Sequence, residues 1–428
     1  MKKNINIKLN NEITSKINRK ISRKYLVKKI YEHIKDTLIS IRCVIIKYNP
    51  IRYPIGIIEC ANPGPDSPVF VSGNYYLTVV RLKRALKNIQ ARILVADSAG
   101  INVWCAAGVG DFNEHKIADA VSAADLKILV NHRQLILPQL AAVGINLKKL
   151  NAECGFKGIW GPADLADIPG FINNGFKADP IMRLVRFPLK DRFINALGMF
   201  NIFLVFPALY ALFKKKEKAH ALVLINFLNI FFPFIFYNKI PFKNPSDKSL
   251  AAGVFTFIIV MLSCFSGPEY SAGSNHFRPG EKIFPGLKLL RFKLFWTGLI
   301  NLMVTIDMLG STPFYKTTIM HWLKTFNNKS LFQPQVTSGC KGCGKCLEVC
   351  PKGIFSLSKI DCLSDGKNLD SQKKPIKNKT RLVSRPDYSK ECCECLACIK
   401  QCPFKAIKNL NGRVFKRDIK SIPGLYQA

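Results

Sequence analysis

The sequence predicts three regions in series: an α/β domain with a largely parallel sheet, a helical membrane-spanning bundle, and a small cysteine-rich metal-binding domain. Short apolar runs alternate with helical patterns from Ile51 to roughly Gly175. Four stretches of about 20 mostly apolar residues follow, each long enough to cross a hydrocarbon core. Ten of the 15 cysteines then fall in the last quarter of the chain, which indicates metal binding in a reducing compartment rather than a disulfide framework. The expected limits are 1–48 for a basic amphipathic arm, 49–190 for the α/β domain, 191–315 for the membrane region and 316–428 for the cysteine-rich domain.

Composition narrows the partners. The 428 residues are 48% hydrophobic and carry 64 Lys+Arg against 28 Asp+Glu, a formal charge of +36. Such a basic chain invites a nucleic-acid reading. The cations, however, are spread over both ends and the loops, and no nucleic-acid module is recognisable. Anionic membrane lipid, or a plain bias towards Lys, accounts better for the charge, and no nucleic-acid partner is expected. The basic N-terminus lacks the apolar run that would follow it in a secretory signal.

In the arm, Ile13, Ile17, Ile21, Leu26, Ile30, Ile34, Leu38 and Ile41 recur at helical spacing between Lys and Arg. The pattern suits a helix lying on a membrane surface or packed on the next domain. Expected strands in the α/β domain are Ile55–Cys60, Val69–Val71, Arg92–Ala96, Leu126–Val130 and Gly158–Trp160. Expected helices are Leu77–Asn88, Phe112–Ala124, Leu147–Cys154 and Ala163–Asn173. Ligands of such sheets lie beyond the carboxyl ends of the strands. Cys105 follows one of those ends and precedes a helix, where the dipole and unpaired N–H groups favour a thiolate, a ligand for a soft metal centre. Gly108-Val-Gly110 is half of a dinucleotide fingerprint, but Asn113 stands at the third glycine position.

Asn102-Val103-Trp104-Cys105-Ala106-Ala107-Gly108 resembles the signature of the corrinoid protein of microbial mercury methylation. The resemblance implies a Rossmann-like corrinoid-binding α/β domain related to that of the corrinoid iron–sulfur protein. It also implies that Cys105 is the lower axial ligand of cobalt and that Asn102, Val103, Trp104, Ala106, Ala107 and Gly108 form the cap over the corrinoid. Leu137-Pro138-Gln139-Leu140 resembles a second segment of that family near the corrinoid. Taken without the family, the same residues read as a packed Trp, a buried Cys and a strand end feeding a turn. No Asp-x-His-x-x-Gly stretch offers a histidine to cobalt, since Asp111 and His115 have the wrong spacing.

The four expected spans are Ile194–Phe213, His220–Tyr237, Leu250–Ser266 and Leu294–Pro313. An even number leaves both flanking domains on the cytoplasmic side of the inner membrane, although Lys214–Lys218 then faces outwards against the positive-inside tendency. Asn226, Asn229, Asn301 and Asp307 fall within the spans, where polar groups face a bundle interior. Hydrogen bonding between helices is their expected role, with a substrate or ion path as the alternative for Asp307.

Cys340-x2-Cys343-x2-Cys346-x3-Cys350-Pro351 is repeated as Cys392-x2-Cys395-x2-Cys398-x3-Cys402-Pro403. A structural zinc site needs four cysteines and no such repeat. The double run resembles a bacterial two-cluster ferredoxin, an α+β fold. In that family the fourth cysteine of each run crosses to the other cluster. The resemblance therefore implies one [4Fe–4S] cluster on Cys340, Cys343, Cys346 and Cys402, and a second on Cys392, Cys395, Cys398 and Cys350. Cys362 and Cys393 are left over, and the Lys-rich insert 356–389 reads as a loop.

Together these parts resemble a fusion of the mercury-methylation corrinoid protein with its separate ferredoxin partner. The resemblance implies methyl transfer from a folate- or pterin-type methyltransferase to an acceptor, with a cytoplasmic low-potential reductant feeding the clusters. Two departures concern mercury: Val109 stands where the family has Lys, and no Cys follows Cys402 where the partner ferredoxin carries a pair. Other readings are a corrinoid methyl carrier of one-carbon metabolism or a methylase of some other, non-mercury acceptor, and, in a different class, a membrane-bound electron-transfer protein without corrinoid.

Overall fold

The computed structural model describes residues 27, 30–46, 50–186, 188–213, 216–242, 245–265, 285–308, 334–361, 380–387, 392 and 395–409. Five strands build one sheet: β1 (Gly56–Cys60), β2 (Val69–Gly73), β3 (Ala91–Ala96), β4 (Gln134–Leu137) and β5 (Lys157–Trp160), in the order β1-β3-β2-β4-β5. β2 to β5 run parallel, and β1 closes the edge antiparallel to β3. The helices around it are α1 (30–45), α2 (Tyr76–Ala85), α3 (Val103–Val109), α4 (Glu114–Ala123), α5 (Leu126–Leu129), α6 (Leu147–Cys154) and α7 (Ile168–Asn173), with a 3₁₀ turn at Gln139–Val143.

The strands read as unbroken apolar runs because both faces of the sheet are covered. Val71, Leu94 and Leu135 pack on one side with Ile117 of α4 and Leu150 of α6. Phe70, Ile93 and Ile136 pack on the other with Val79 of α2 and Phe171 of α7. The strand expected at Leu126–Val130 is instead the short helix α5, and the fourth strand is Gln134–Leu137. Leu126 and Val130 are buried while Ile128 is 84% exposed. Burial at a spacing of four is that of a helical turn, not of a strand. From β2 the chain passes to β3 on one side and then back to β4 on the other. The carboxyl ends of β2 and β4 therefore flank a topological switch point, the usual place for a ligand in such sheets.

The next helices are α8 (Leu189–Phe203), α9 (Val205–Leu212), α10 (Lys216–Ile235), α11 (Pro245–Phe265) and α12 (Pro285–Met308). Met199, Phe203, Ile225, Phe231, Trp296 and Ile300 form their shared core. Buried Arg192 donates from Nη1 to Phe234 O at 3.1 Å and Ile235 O at 2.9 Å, closing the last carbonyls of α10. Asn226 and Asn229 are each 1% exposed and Asn301 is 9% exposed, so the three amides face inwards. Asn226 donates across to Phe203 O at 3.1 Å, whereas Asn229 bonds back along its own helix to Ile225 O at 3.0 Å. Asp307 belongs to α12, but its side chain lies outside the described residues. By length and composition alone, two described helical stretches can cross a membrane: Leu189–Leu212, 24 residues, and Lys218–Ile235, 18 residues. Leu250–Leu262 is a shorter apolar helix, and Leu294–Pro313 runs past the described residues.

In the cysteine-rich region, β6 (Pro334–Val336) and α13 (Lys345–Val349) are followed by β7 (Phe355–Asp361), β8 (Thr380–Pro386), α14 (Ala397–Gln401) and β9 (Ile407–Asn409). β6 pairs with β9 and β7 with β8, both antiparallel. The loop expected over 356–389 is thus corrected at its ends, which are strands held by a seven-residue ladder.

Although the apolar helices separate them in sequence, the first and last regions share a core. Val349 of α13 and Ala397 of α14 join the buried cluster that contains Ala106, Ala107, Ala141 and Ala142. Gln401 donates both amide hydrogens across the junction, to Ala142 O and Ile145 O, each at 2.7 Å. The Val185 N–H donates to Pro351 O at 3.0 Å. Gln401→Ala removes two of these bonds and should cost about 1–2 kcal/mol. Amide exchange should rise in 139–145 and 397–401 while β3 stays protected. Unchanged exchange in both segments would show that Gln401 does not hold the junction.

Candidate functional site

β3 ends at Ala96, and the chain turns over its carboxyl end into α3. Asn74, 2% exposed just beyond β2, fixes that turn. Its Oδ1 accepts from Ser98 N at 2.9 Å, Ser98 Oγ at 3.0 Å and Gly100 N at 2.9 Å, while its Nδ2 donates to Asp97 Oδ1 at 3.2 Å. A Cβ on Gly73 would stand 2.5 Å from Ser98 Oγ, so the turn can fold onto β2 only because residue 73 has no side chain. Partial burial pushes the Asp97 carboxyl up. The Lys116 ammonium at 3.1 Å, the Ala99 N–H and Arg52 outweigh that and hold it below the usual carboxylate range.

Asn102 then caps α3. Its backbone is extended and its Oδ1 accepts from Cys105 N at 3.0 Å, the bond of a helix N-cap. The same side chain donates from Nδ2 to Cys105 Sγ at 3.4 Å. Val103, Ala106 and Ala107 are buried, whereas Asn102, Trp104, Cys105 and Gly108 are half-buried. Asn102, Cys105 and Gly108 recur at a spacing of three and so share the outer face. A Cβ on Gly108 would meet nothing within 4 Å. The thiol therefore stands beside bare backbone, which suits a flat ligand.

Beneath α3, a Cβ on Gly144 would lie 2.7 Å from Ala107 O and 2.6 Å from Phe112 O. Glycine there lets the segment after the 3₁₀ turn meet the helix at backbone distance. Gly110, at φ 91°, ends α3, and Asn113 caps α4 by accepting from Lys116 N at 3.1 Å. The incomplete glycine fingerprint is thus a helix stop and a helix start.

Leu137-Pro138-Gln139-Leu140 carries β4 into the 3₁₀ turn. Gln139, 1% exposed, donates from Nε2 to Arg183 O at 2.8 Å, while its Oε1 has no partner among the described residues. At the end of β5, Trp160 is also 1% exposed with its indole N–H unpartnered among them. A buried acceptor and a buried donor thus lie at the carboxyl edge of neighbouring strands, a combination that calls for a partner. Nothing in the spacing of Asn74 or Trp160 marks either residue in the sequence. Gln139 falls in the second family-like segment.

The cysteine runs fold as a repeat. Gly344 and Leu396, at φ 74° and 62°, occupy equivalent positions and open the five-residue helices α13 and α14. Cys340, Cys343, Cys346 and Cys402 line one pocket. Gly342 N and Ser384 N donate to Cys340 Sγ at 3.4 Å, and Ala406 N donates to Cys402 Sγ at 3.3 Å. Burial pushes the Cys346 thiol up to about 11. Burial, with Cys392, Cys350 and Cys346 nearby, pushes Cys398 well above the ordinary thiol range. Cys395 packs on the core shared with Ala397. No three His, Cys, Asp or Glu among the described residues close around a single metal ion. A cubane is wider than one ion and needs its sulfurs held apart around it. Cys362 and Cys393 lie outside the described residues.

Residues 38–172 match the family model described as CO dehydrogenase/acetyl-CoA synthase delta subunit. The acetyl-CoA decarbonylase/synthase complex subunit gamma of Archaeoglobus fulgidus is 28% identical over 156 residues, 35% of this chain and 33% of that protein. Subunit gamma 1 of Methanosarcina thermophila is 30% identical over 140 residues, 30% of this chain and 28% of that protein. The corrinoid/iron-sulfur protein large subunit of Moorella thermoacetica is 30% identical over 124 residues, 28% of this chain and 27% of that protein. The chain spans about a third of the length of these relatives. Its α/β domain is corrinoid iron–sulfur protein-like.

Asp97 allows a test of how the turn below α3 is held. Its carboxyl is lowered in the folded protein, so its contribution is complete above the ordinary carboxylate value and is lost as pH falls through the lowered one. Asp97→Asn should lower the melting temperature at neutral pH and make the loss of stability on acidification less steep. An unchanged acid limb would assign that sensitivity to other carboxylates.

Proposed function

We propose that this chain is a membrane-anchored, corrinoid-dependent methyl-transfer protein of the mercury-methylation type, with a fused two-cluster ferredoxin that returns electrons to the corrinoid. One observation carries the reading: Cys105 Sγ, held by Asn102 beside Gly108, stands beyond the carboxyl end of β3 in a corrinoid iron–sulfur protein-like domain. When bound, the corrinoid supplies cobalt that accepts and gives up a methyl group.

The chain's own residues have separable roles. Cys105 would hold the cobalt, and the Asn102 amide orients its sulfur, as outer hydrogen bonds orient metal ligands generally. Gly108, on whose outer side a Cβ would meet nothing within 4 Å, would leave room for the macrocycle. Cys340, Cys343, Cys346 and Cys402 would hold one [4Fe–4S] cluster and Cys350, Cys392, Cys395 and Cys398 the other, with N–H groups of Gly342 and Ser384 on the Cys340 sulfur and of Ala406 on that of Cys402. Outward residues of α8–α12 such as Leu212 (78% exposed), Phe295 (64%) and Leu262 (60%) suit lipid contact. The direct contact between the first and last regions favours an even number of crossings, with both in the cytoplasm. A folate- or pterin-type methyltransferase and a low-potential cytoplasmic reductant complete the cycle.

Anaerobically purified protein should contain one cobalt and about eight iron atoms, the content of two cubanes. Iron without cobalt would leave only an electron-transfer protein. Cys105→Ala should reduce methyl transfer to background while shifting stability by less than about 1 kcal/mol, since the residue is half-exposed. Transfer at the parent rate would remove Cys105 from the mechanism.

A second reading, a methyl carrier of one-carbon metabolism, is favoured by the named relatives and by Val109. That residue is half-exposed at the end of α3, where the mercury-methylation signature has a cation. The discriminating assay is methylmercury production in an anaerobic host deleted for its own methylation genes and supplied with this chain. A yield well below that of the two-protein system supports the second reading, and an equal yield establishes mercury as the acceptor.

A further inference from the structure

Helix α1 has two unlike faces. One is fastened to the α/β domain: Asp36, 9% exposed, accepts from Tyr76 OH at 2.8 Å and from Lys83 Nζ at 3.1 Å. Cys43, 2% exposed, packs with Tyr76 and Val80. The other face is an apolar stripe turned away from the domain. Tyr31 is 62% exposed, Ile34 52%, Leu38 62%, Ile41 50% and Ile45 38%. Their spacings alternate between three and four residues, which keeps all five on one side of the helix. A helix this firmly docked has no internal reason to present its aliphatic side chains to water.

We propose that the outer face of α1 is a docking site for an anionic bilayer surface. The cations decide between this and a second copy of the chain. Lys35 and Arg42 are exposed, lie seven residues apart, and each follows a stripe residue directly. Lys28 continues the same interval in the sequence. In a self-paired helix, this row would face either its own like charges or the uncharged positions Thr37 and Val44, with no acidic partner on either flank. Glu32, 4.0 Å from Lys35, is the other acid of α1 besides the inward Asp36. Residues 1–48 carry 13 Lys+Arg against three Asp+Glu. An apolar stripe edged by cations matches a helix lying in the plane of negatively charged headgroups, its aliphatic residues below and its cations reaching back to phosphate. The site fixes how the α/β domain sits over the membrane, and it does not depend on bound cobalt or iron.

The test uses the full chain in lipid nanodiscs with a photo-crosslinking amino acid at Leu38, and at exposed His33 off the stripe as control. Discs of phosphatidylcholine alone are compared with discs containing phosphatidylglycerol. Lipid adducts at position 38 should be several-fold more abundant in the anionic discs and sparse at position 33. A Lys35→Glu/Arg42→Glu variant should lose the preference for anionic discs. Covalent dimers, crosslinks to the chain's own residues, or adducts indifferent to lipid charge would each overturn the inference. Cobalt and iron measured on the same sample report separately on the proposed function.

Discussion

The 3₁₀ turn Gln139–Val143 and Gly144 after it are the floor on which Cys105 rests. Gly144 meets α3 at backbone distance, where a Cβ would lie 2.7 Å from Ala107 O. The other side of the same short segment accepts Gln401 at Ala142 O and Ile145 O. Ala141 and Ala142 are wholly buried between them. Small residues are needed throughout, because a larger side chain would push either the cap away from the sheet or α14 away from the turn. One constraint, close approach, thereby sets the height of the thiol and the seat of the cysteine-rich region.

Rigidity around this floor comes from polar side chains spent on backbone groups. Asn74 holds three donors of the turn before α3, Asn102 starts the helix and touches the thiol, and Gln401 bridges two carbonyls. Asn74 is buried and Asn102 and Gln401 are half-buried, and each is satisfied by groups that must be in register for the site to form. The apolar helices use the same device more sparingly, with Arg192 closing α10 and Asn226 tying it to α8. Elsewhere these helices also expose large apolar side chains, Leu212, Leu262 and Phe295 among them.

Much of this was legible in residues with a strong local rule. Two-sided apolar runs announced β2 and β3, and the repeated cysteine spacing announced a repeat, whose two short helices and their left-handed openings the structure adds. Asn102 to Gly108 reads as a turn between a strand and a helix, and the structure makes Val103–Val109 a helix of its own, with Asn102 as its cap. Leu126–Val130 misled because five residues cannot distinguish burial at intervals of four from alternation until neighbours are known. The junction was hidden for a different reason. Gln401, Val349 and Ala142 lie far apart in sequence, and nothing local says that a glutamine between two cysteines reaches a turn more than 250 residues earlier.

That hidden junction bears on why the regions are joined in one chain. Two separate proteins that dock must find each other and lose translational and rotational freedom at each encounter. Joining two parts in one chain replaces the encounter by an effective concentration set by the connection, but only if the linked parts can meet in the right orientation. Here the meeting is already made: α14 lies against the turn beneath α3, with Cys398 and Cys402 flanking the glutamine that secures it. Cys398 is buried in this arrangement, and burial pushes its thiol well above the ordinary range. The same packing that seats the cysteine-rich region therefore brings it to the underside of α3, so the placing of both follows from one contact.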